Sequence, residues 1–573
     1  MAAPRPGPTV LGLCAFTHDS AAALIHDGSL IGFVEEERLS GEKHTEAYPE
    51  RAVRWLLDAA GLRADQVDAV AYNFAGHRHL AAVPGSLRYL LQPETRARAI
   101  PRAASFLRVH RNYRGRMAEL RAQFPAARVH GVLHHRAHGL YAFAASGLDE
   151  AAVLVVDSLG ETQTTTIAHA RRAGAGVEYR LFDKLHDPVS LGYAYGAVTE
   201  HLGWRRGDEE GTVMALAGLG DPGRFRDLLA DAIQITGRGF ALDPRVLPLR
   251  VLDRRYPRTS PAFTAASCPP RSPADELQPV HADLAAALQE RTEQVMLHLA
   301  RRAAAMTGAQ ALCVGGGVAM NCVAVGRIAQ AGIVDTVTVP PAPGDSGTAI
   351  GAALSVHLYT GGSLPAGADD CYLGPDIDAA AAVAGLPAGL IASRVDCPVA
   401  HAAGELSRGA IVGVCRGRVE AGPRALGNRS ILASPITPGI VDRLNATVKH
   451  REPFRPFAPV VLADCAGDWF ALDQPSPYMS IASGVTARTR STIPGVVHVN
   501  GMARVQTVTP GQNPFLADLL AAFAQLTGVP VLINTSLNVK GKPICGTAGM
   551  ALDCLQTTGL DALLLGDWWV TRQ

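Results

Sequence analysis

The sequence predicts an α/β protein of two domains, the first built from a strand–turn–hairpin unit used twice. Three observations carry this. At 573 residues the chain exceeds what one hydrophobic core supports. From Val10, VLGLCAFTHDSAAALIHDGSLIGFVEEE reads as a strand, a polar turn and a hairpin with Asp27 and Gly28 at its tip. From Ala151 the pattern returns: AAVLVV, a polar turn at Asp157-Ser158-Leu159-Gly160, and two further strands separated by a glycine turn.

Composition narrows the class before any motif is read. Hydrophobic residues make up 48% and the formal net charge is +1, which argues for a soluble globular protein and against nucleic acid as a partner. Ten cysteines are scattered without a C-x-x-C pair, and Cys14, Cys313 and Cys415 sit in apolar strand-like runs, so reduced core thiols in a cytoplasmic protein are expected. No apolar run of about 18 residues is present, and MAAPRPG leads straight into a strand, so neither a membrane span nor a signal peptide is expected.

Between the repeated units, residues 75–130 are arginine-rich and read as a helical insertion. His134 and His138 follow, four apart and therefore on one helical face, a spacing at which two imidazoles can ligate one metal; by itself H-x-x-x-H is a weak signal. Carboxylates at turns strengthen it: Asp157 after a strand, and Asp345 in PGDSG before an apolar helix. Two imidazoles and two carboxylates without thiolate suit Fe(II), Mn or Zn, and the sequence does not rank them. Residues 186–220 read as a helix and an acidic glycine loop, 254–280 as a long loop or lid, and 283–307 as a long helix. The strand, triple-glycine turn and helix of ALCVGGGVAMNC put the amides of Gly315, Gly316 and Gly317, with Asn321 behind them, where an anion or nucleotide edge could bind.

Domains are expected at 1–365 and 396–573, joined by a polar linker over 366–395. The second domain is organised around Arg416–Pro459, where Arg416, Arg418, Arg424, Arg429, Arg443, Lys449, Arg451 and Arg455 stand among glycines, prolines and asparagines. Arginine offers a planar donor fork to phosphate, and glycine lets backbone N–H groups come close. Lysine stands only at Lys43, Lys184, Lys449, Lys540 and Lys542 in a chain with 53 basic residues, so Lys449 marks a position that needs an ammonium. Arg504, and the strand-end polar groups Ser536 and Asn538, complete a phosphate site.

Eleven motifs in order, FTHDSAAAL, EEERLSGEKH, HHRAHG, SLGYAY, EEGTVMALAGLG, GGGVAMNC, PGDSG, EAGPRALGNRS, VKHREPFRPFAP, ARVQTV and NTSLNVKGKPI, resemble the O-carbamoyltransferases of the NodU/CmcH class, whose members include antibiotic-pathway enzymes of the nebramycin type. The resemblance implies a duplicated actin/Hsp70-like, Kae1-like N-terminal domain and an α/β YrdC-like C-terminal domain. It implies that carbamoyl phosphate and ATP, with Mg, give O-carbamoyladenylate, whose carbamoyl group passes to a hydroxyl of a small-molecule natural product. Carried over residue by residue, His134, His138, Asp157 and Asp345 hold the metal, with Fe(II) the family expectation and Zn or Mn the alternatives. His18 acts on the acceptor hydroxyl; Gly316, Gly317 and Asn321 face the adenylate. Arg424, Lys449, Arg455, Arg504 and Ser536 hold ATP and carbamoyl phosphate, with Asn428, Arg429 and Asn538 in support, while Arg416, Arg418, Arg443 and Arg451 serve as surface or support. Met502 and Lys542 depart from the family's usual residues without removing a catalytic group. A homodimer is compatible with this reading. The rivals are a threonylcarbamoyl-type tRNA modification enzyme, against which the near-neutral charge speaks, a non-catalytic nucleotide-binding protein, and a sugar-kinase-like phosphotransferase.

Overall fold

The computed structural model describes residues 7–253 and 255–573 and is of α/β class. It divides into two compact units. The first takes the chain up to Phe16, Ala21–Ile31 and Leu56–Asp369; the second takes Thr17–Ser20, Gly32–Trp55 and Asp370–Gln573.

In the first unit, strands β1 (Val10–Cys14), β2 (Ala21–His26), β3 (Ser29–Glu35, its last residues counted with the second unit), β4 (Ala69–Tyr72) and β5 (Arg128–Gly131) form a sheet of order β3-β2-β1-β4-β5. Asp27 and Gly28 make the β2–β3 turn with φ of 47° and 72°, the left-handed pair that a two-residue hairpin requires. A second sheet, β8-β7-β6-β11-β12, uses β6 (Glu150–Val156), β7 (Gln163–Ala173), β8 (Gly176–His186), β11 (Ala311–Gly315) and β12 (Thr336–Thr338) in the same order, with β9 (Ile233–Thr236) and β10 (Gly239–Leu242) forming a separate hairpin. The directions match too: β1 is antiparallel to β2 and parallel to β4, as β6 is antiparallel to β7 and parallel to β11.

Two buried helices give this unit its centre. His134–Ala144 packs on β6, β7 and β11, Thr348–Tyr359 packs on β1, β2 and β4, and the two helices pack on each other. Thr348–Tyr359 is apolar nearly all round, as a helix covered on several sides must be. The crossing depends on Gly351, where a Cβ would lie 1.8 Å from the Ala137 carbonyl oxygen. The 75–130 region is helical, its longest element being Arg96–Gln123. The long helix expected over 283–307 starts slightly earlier, at Pro279, whose missing N–H costs nothing at a first helical position, and stops at Thr307 before Gly308 in the left-handed conformation.

The second unit is built on a nine-stranded mixed sheet of order β13-β21-β20-β14-β15-β19-β16-β18-β17. Its strands are β13 (Leu390–Arg394), β14 (Val412–Cys415), β15 (Arg429–Ala433), β16 (Ala458–Leu462), β17 (Ile481–Gly484), β18 (Met502–Val508), β19 (Val531–Ser536), β20 (Ala562–Leu565) and β21 (Trp568–Arg572). Its core gathers Trp469, Phe457, Phe470 and Phe523 with aliphatic residues of the central strands; each such side chain stabilises the fold by about 1.5–3 kcal/mol. The 366–395 stretch differs from the expected linker: it holds the helix Ala379–Ala384 and the edge strand β13. Only one residue of β13 is buried, so its sequence carries the polar composition of a linker while its backbone pairs with β21. None of the ten cysteines is in a disulfide. Among the described residues no helix is long and apolar enough to cross a membrane.

Candidate functional site

In the first unit the structure gathers His134, His138, Asp157 and Asp345, whose ligand-type atoms all lie within 4.8 Å of one another. The fold explains the convergence. His134 and His138 occupy the first turns of one central helix, Asp345 stands just before the other, and Asp157 follows β6. Nε2 of His134 lies 3.1 Å from Nε2 of His138, 3.6 Å from Asp157 Oδ2 and 3.5 Å from Asp345 Oδ1. All four side chains are nearly inaccessible to solvent. Burial alone would depress the His134 imidazole, but the carboxylates of Asp345 and Asp157 more than offset it and hold the group well above its usual value.

The surroundings fix His134. Nδ1 of His134 lies 3.2 Å from the Asn73 carbonyl, a contact that places the proton on Nδ1 and turns the Nε2 lone pair inward. The ring stacks on Phe74 at 4.3 Å. Buried Glu161 accepts from the backbone N–H groups of His134 and Ala75 at 3.1 and 2.7 Å, anchoring the helix start. The neighbouring His135 is different: burial pushes it down to about 3, and its Nδ1 meets Thr166 Oγ1 at 3.2 Å. Two inward imidazole nitrogens and two carboxylates in a closed pocket fit a divalent cation.

The triple-glycine turn serves this cluster. Gly316 has φ of 88°, and a Cβ there would meet the Val156 carbonyl oxygen at 2.4 Å, so the chain passes too close for any side chain. The Gly317 N–H then donates to Asp157 Oδ1 at 3.1 Å. Asn321 accepts from Ala324 N at the helix start and exchanges hydrogen bonds with the Gln289 amide at 2.9 and 3.1 Å. Gly317 thus orients a carboxylate of the cluster, and Asn321 caps a helix.

In the second unit, register brings the cationic residues to one end of four adjacent strands. Ser430 pairs with Ser536, Ala458 with Asn534, and Val460 with Gln506, so the starts of β15 and β16 lie beside the end of β19 and the level of Arg504 on β18. Lys449 ends a π-helical turn over Asn445–Lys449, followed by His450 in the left-handed conformation. Such turns recur at functional sites because they re-aim one side chain. Its buried amine donates to the Ser536 carbonyl, to Ser536 Oγ at 3.3 Å and to Asn538 Oδ1 at 2.8 Å. Burial, then the charges of Arg451 and Arg455, push this ammonium down to about 7. Arg451 is pushed down to about 9 by burial and by Arg455 and Arg504, so these four cations share one neighbourhood. Arg451, expected as surface or support, is therefore part of the cluster; its guanidinium lies over Phe457 at 4.4 Å.

Two residues expected in support of the phosphate ligands hold the loop together. Arg429 is fully buried and its Nη1 donates to the carbonyls of Arg416, Gly417 and Asn428 at 2.9–3.0 Å. Asn428 donates to the Arg418 carbonyl at 2.8 Å and accepts from Asn513 at 3.1 Å. Both tie the loop to itself. Sequence reading assigned no role to three other residues that hold this loop. Glu35 Oε1 accepts from Gly422 N at 2.9 Å, Arg38 donates to Gly422 O at 2.6 Å, and Glu420 accepts from Leu426 N and Arg429 N at 2.7 and 3.1 Å. The signal was a charged EEER run adjoining a buried strand. Arg424 sits half-buried two residues beyond Gly422. His18 falls in the second unit, hydrogen-bonded to Asp19 at 2.9 Å, because its short loop is tied to residues 44–47 by Ser20.

The described residues thus hold two candidate sites, a buried imidazole–carboxylate cluster in one unit and a cation-lined sheet end in the other. Residues 9–354 match the family described as carbamoyltransferase N-terminus, and residues 403–572 that described as carbamoyltransferase C-terminus. The chain belongs to the carbamoyltransferase family, and its relatives place it in the NodU/CmcH class of O-carbamoyltransferases. It is 35% identical to nodulation protein NolNO of Sinorhizobium fredii, over 97% of this chain and 79% of that one. It is 34% identical to an uncharacterized protein, sll1178, of Synechocystis, over 98% and 96%. It is 35% identical to the 3'-hydroxymethylcephem-O-carbamoyltransferase of Streptomyces clavuligerus, over 50% and 53%.

Proposed function

We propose that this enzyme makes O-carbamoyladenylate from carbamoyl phosphate and ATP and transfers the carbamoyl group to a hydroxyl of a small-molecule natural product in antibiotic biosynthesis. The observation that carries the reading is the crowding of Lys449, Arg451, Arg455 and Arg504 at one sheet end in a member of the carbamoyltransferase family. In this reading the two sheets of matching order are the halves of an actin-like, Kae1-like domain, and the nine-stranded sheet belongs to a YrdC-like domain.

The chemistry follows from the residues. Water cleaves carbamoyl phosphate to carbamate and phosphate; a carbamate oxygen then bonds to the α-phosphorus of Mg-bound ATP as the bond to pyrophosphate breaks. Negative charge builds on the phosphorus oxygens and the departing pyrophosphate, and the fixed cations Lys449, Arg451, Arg455, Arg504 and Arg424 stabilise it. Ser536 and Asn538 hold the Lys449 amine in place. In the transfer step the acceptor oxygen bonds to the carbonyl carbon, its proton passes to His18, and AMP leaves with the electron pair of the broken bond. A cation held by His134, His138, Asp157 and Asp345, with Fe(II) expected, would supply Lewis-acid polarisation of a carbonyl.

Two outcomes follow directly. His134→Ala should lower bound metal, measured by elemental analysis after anaerobic Fe(II) loading and by chelator competition, by more than the about 10–100-fold that loss of an outer-shell partner costs; unchanged metal content would remove the site. The depressed Lys449 ammonium predicts proton uptake on ATP binding. With the group at about 7 in the ligand-free protein, it is mostly neutral at pH 8 and charged at pH 6. Phosphate stabilises the charged form, so binding should draw in a proton at pH 8 and little at pH 6, and ATP affinity should fall as pH rises through 7. Calorimetry in buffers of different ionisation enthalpy reads this, and equal uptake at both pH values would contradict it. The function itself is tested by pyrophosphate release that requires both ATP and carbamoyl phosphate, followed by mass detection of a carbamoyl group on an added alcohol.

A further inference from the structure

We propose that Asp19 is a positioning residue that joins His18 and His44 in one hydrogen-bonded chain and fixes the His18 ring so that Nε2 takes the proton of the acceptor hydroxyl. This rests on the reading of His18 as the base. One carboxylate oxygen of Asp19 lies 2.9 Å from Nδ1 of His18 and the other 2.5 Å from Nδ1 of His44. The chain continues: His44 N donates to Glu37 Oε2 at 2.9 Å, and Arg38 Nη1 donates to Glu37 Oε1 at 2.6 Å. With Nδ1 committed to a carboxylate, the tautomer and tilt of the His18 ring are set, as a base acting through Nε2 requires.

Backbone geometry supports a functional rather than incidental contact. Asp19 and His44, which are in direct contact, both adopt left-handed backbone, with φ of 66° and 55°. Two adjacent non-glycine residues of this kind persist where surrounding structure holds them, and such positions gather at functional sites. The surrounding clips are visible: Ser20 N donates to the Thr45 carbonyl at 3.2 Å and Ser20 Oγ to the Ala47 carbonyl at 2.6 Å, joining the His18 loop to the His44 loop. The charged and titratable groups facing Asp19 include His18, His44, Glu37 and Arg38. Burial alone would raise its carboxyl, but the two imidazoles offset this and keep it ionised well below the usual carboxylate range. An ionised Asp19 stabilises the imidazolium that proton abstraction would create.

Asp19→Asn tests this. Asparagine adopts left-handed backbone readily, so the turn is kept, while the charge and one acceptor are lost. The His18 side chain is 51% exposed, so the pH dependence of its modification by diethyl pyrocarbonate, read on its peptide by mass spectrometry, reports its protonation. Asp19→Asn should lower the midpoint by about one pH unit, the effect of losing one opposite charge in contact; carbamoyl phosphate-dependent pyrophosphate release, which reports an intact second unit, should stay within twofold. Asp19→Glu, which keeps the charge, should hold the midpoint near that of the unmodified protein. A midpoint unmoved in Asp19→Asn, or lowered equally in Asp19→Glu, overturns the proposal. Failure of the underlying reading is seen separately: if His18→Asn leaves carbamoyl transfer intact, His18 is not the base, whatever the midpoint does.

Discussion

Lys449→Ala is expected to reduce pyrophosphate release from ATP and carbamoyl phosphate by about 10²–10³-fold. Truncating one member of a buried, hydrogen-bonded charge constellation costs about 2–5 kcal/mol, and each 1.36 kcal/mol is about tenfold in rate. The amine is the buried member of the cluster, held by Ser536 and Asn538 at the end of β19, so no neighbouring side chain occupies its place when it is removed. The loss should fall on kcat more than on the ATP KM, because charge on the leaving pyrophosphate develops in the transition state. Lys449→Arg should not restore activity: a planar guanidinium does not fit a site shaped to a compact ammonium at the end of a π turn. A fall of less than threefold in Lys449→Ala would remove this residue from the chemistry.

His18→Asn is expected to give the complementary phenotype. Adenylate formation, followed as pyrophosphate release, should persist, while carbamoyl transfer falls by about 10²–10⁴-fold, the usual contribution of a positioned general base. Asparagine keeps a side-chain donor for Asp19, so the loop is retained and the loss is one of proton transfer. The informative quantity is the ratio of the two activities. If His18→Asn stopped pyrophosphate release and Lys449→Ala did not, the assigned roles of the two residues would be exchanged.

Much of this was legible in the chain because local chemistry and tertiary structure agree. The Asp27-Gly28 hairpin, the return of the same unit at Ala151, and the helix bearing His134 and His138 each need only neighbouring residues to specify them. The imidazole–carboxylate cluster was legible as well, because carboxylates at turns beside apolar segments reinforced the weak H-x-x-x-H spacing. What was not legible depends on distant contacts. Strand β13 hides in a polar stretch because only one of its residues is buried. Arg429 carries the same composition signal as its cationic neighbours, and only the fold shows that its Nη1 donates to three carbonyls of its own loop. Arg451 looked peripheral because the π turn and the Phe457 ring that bring it inward leave no mark in spacing. The segments around His18 and His44 precede most of the first unit in sequence but belong to the second, a placement set by long-range packing.

In the proposed reaction carbamate displaces pyrophosphate from ATP at the Lys449 cluster. Incubating the purified protein with α- and γ-labelled ATP, Mg, Fe(II) and carbamoyl phosphate and separating the nucleotide products tests it most directly. The expected products are pyrophosphate carrying the γ label and AMP rather than ADP, with strict dependence on carbamoyl phosphate. ADP with the γ-phosphate on an added alcohol, or pyrophosphate formed equally well without carbamoyl phosphate, would contradict it.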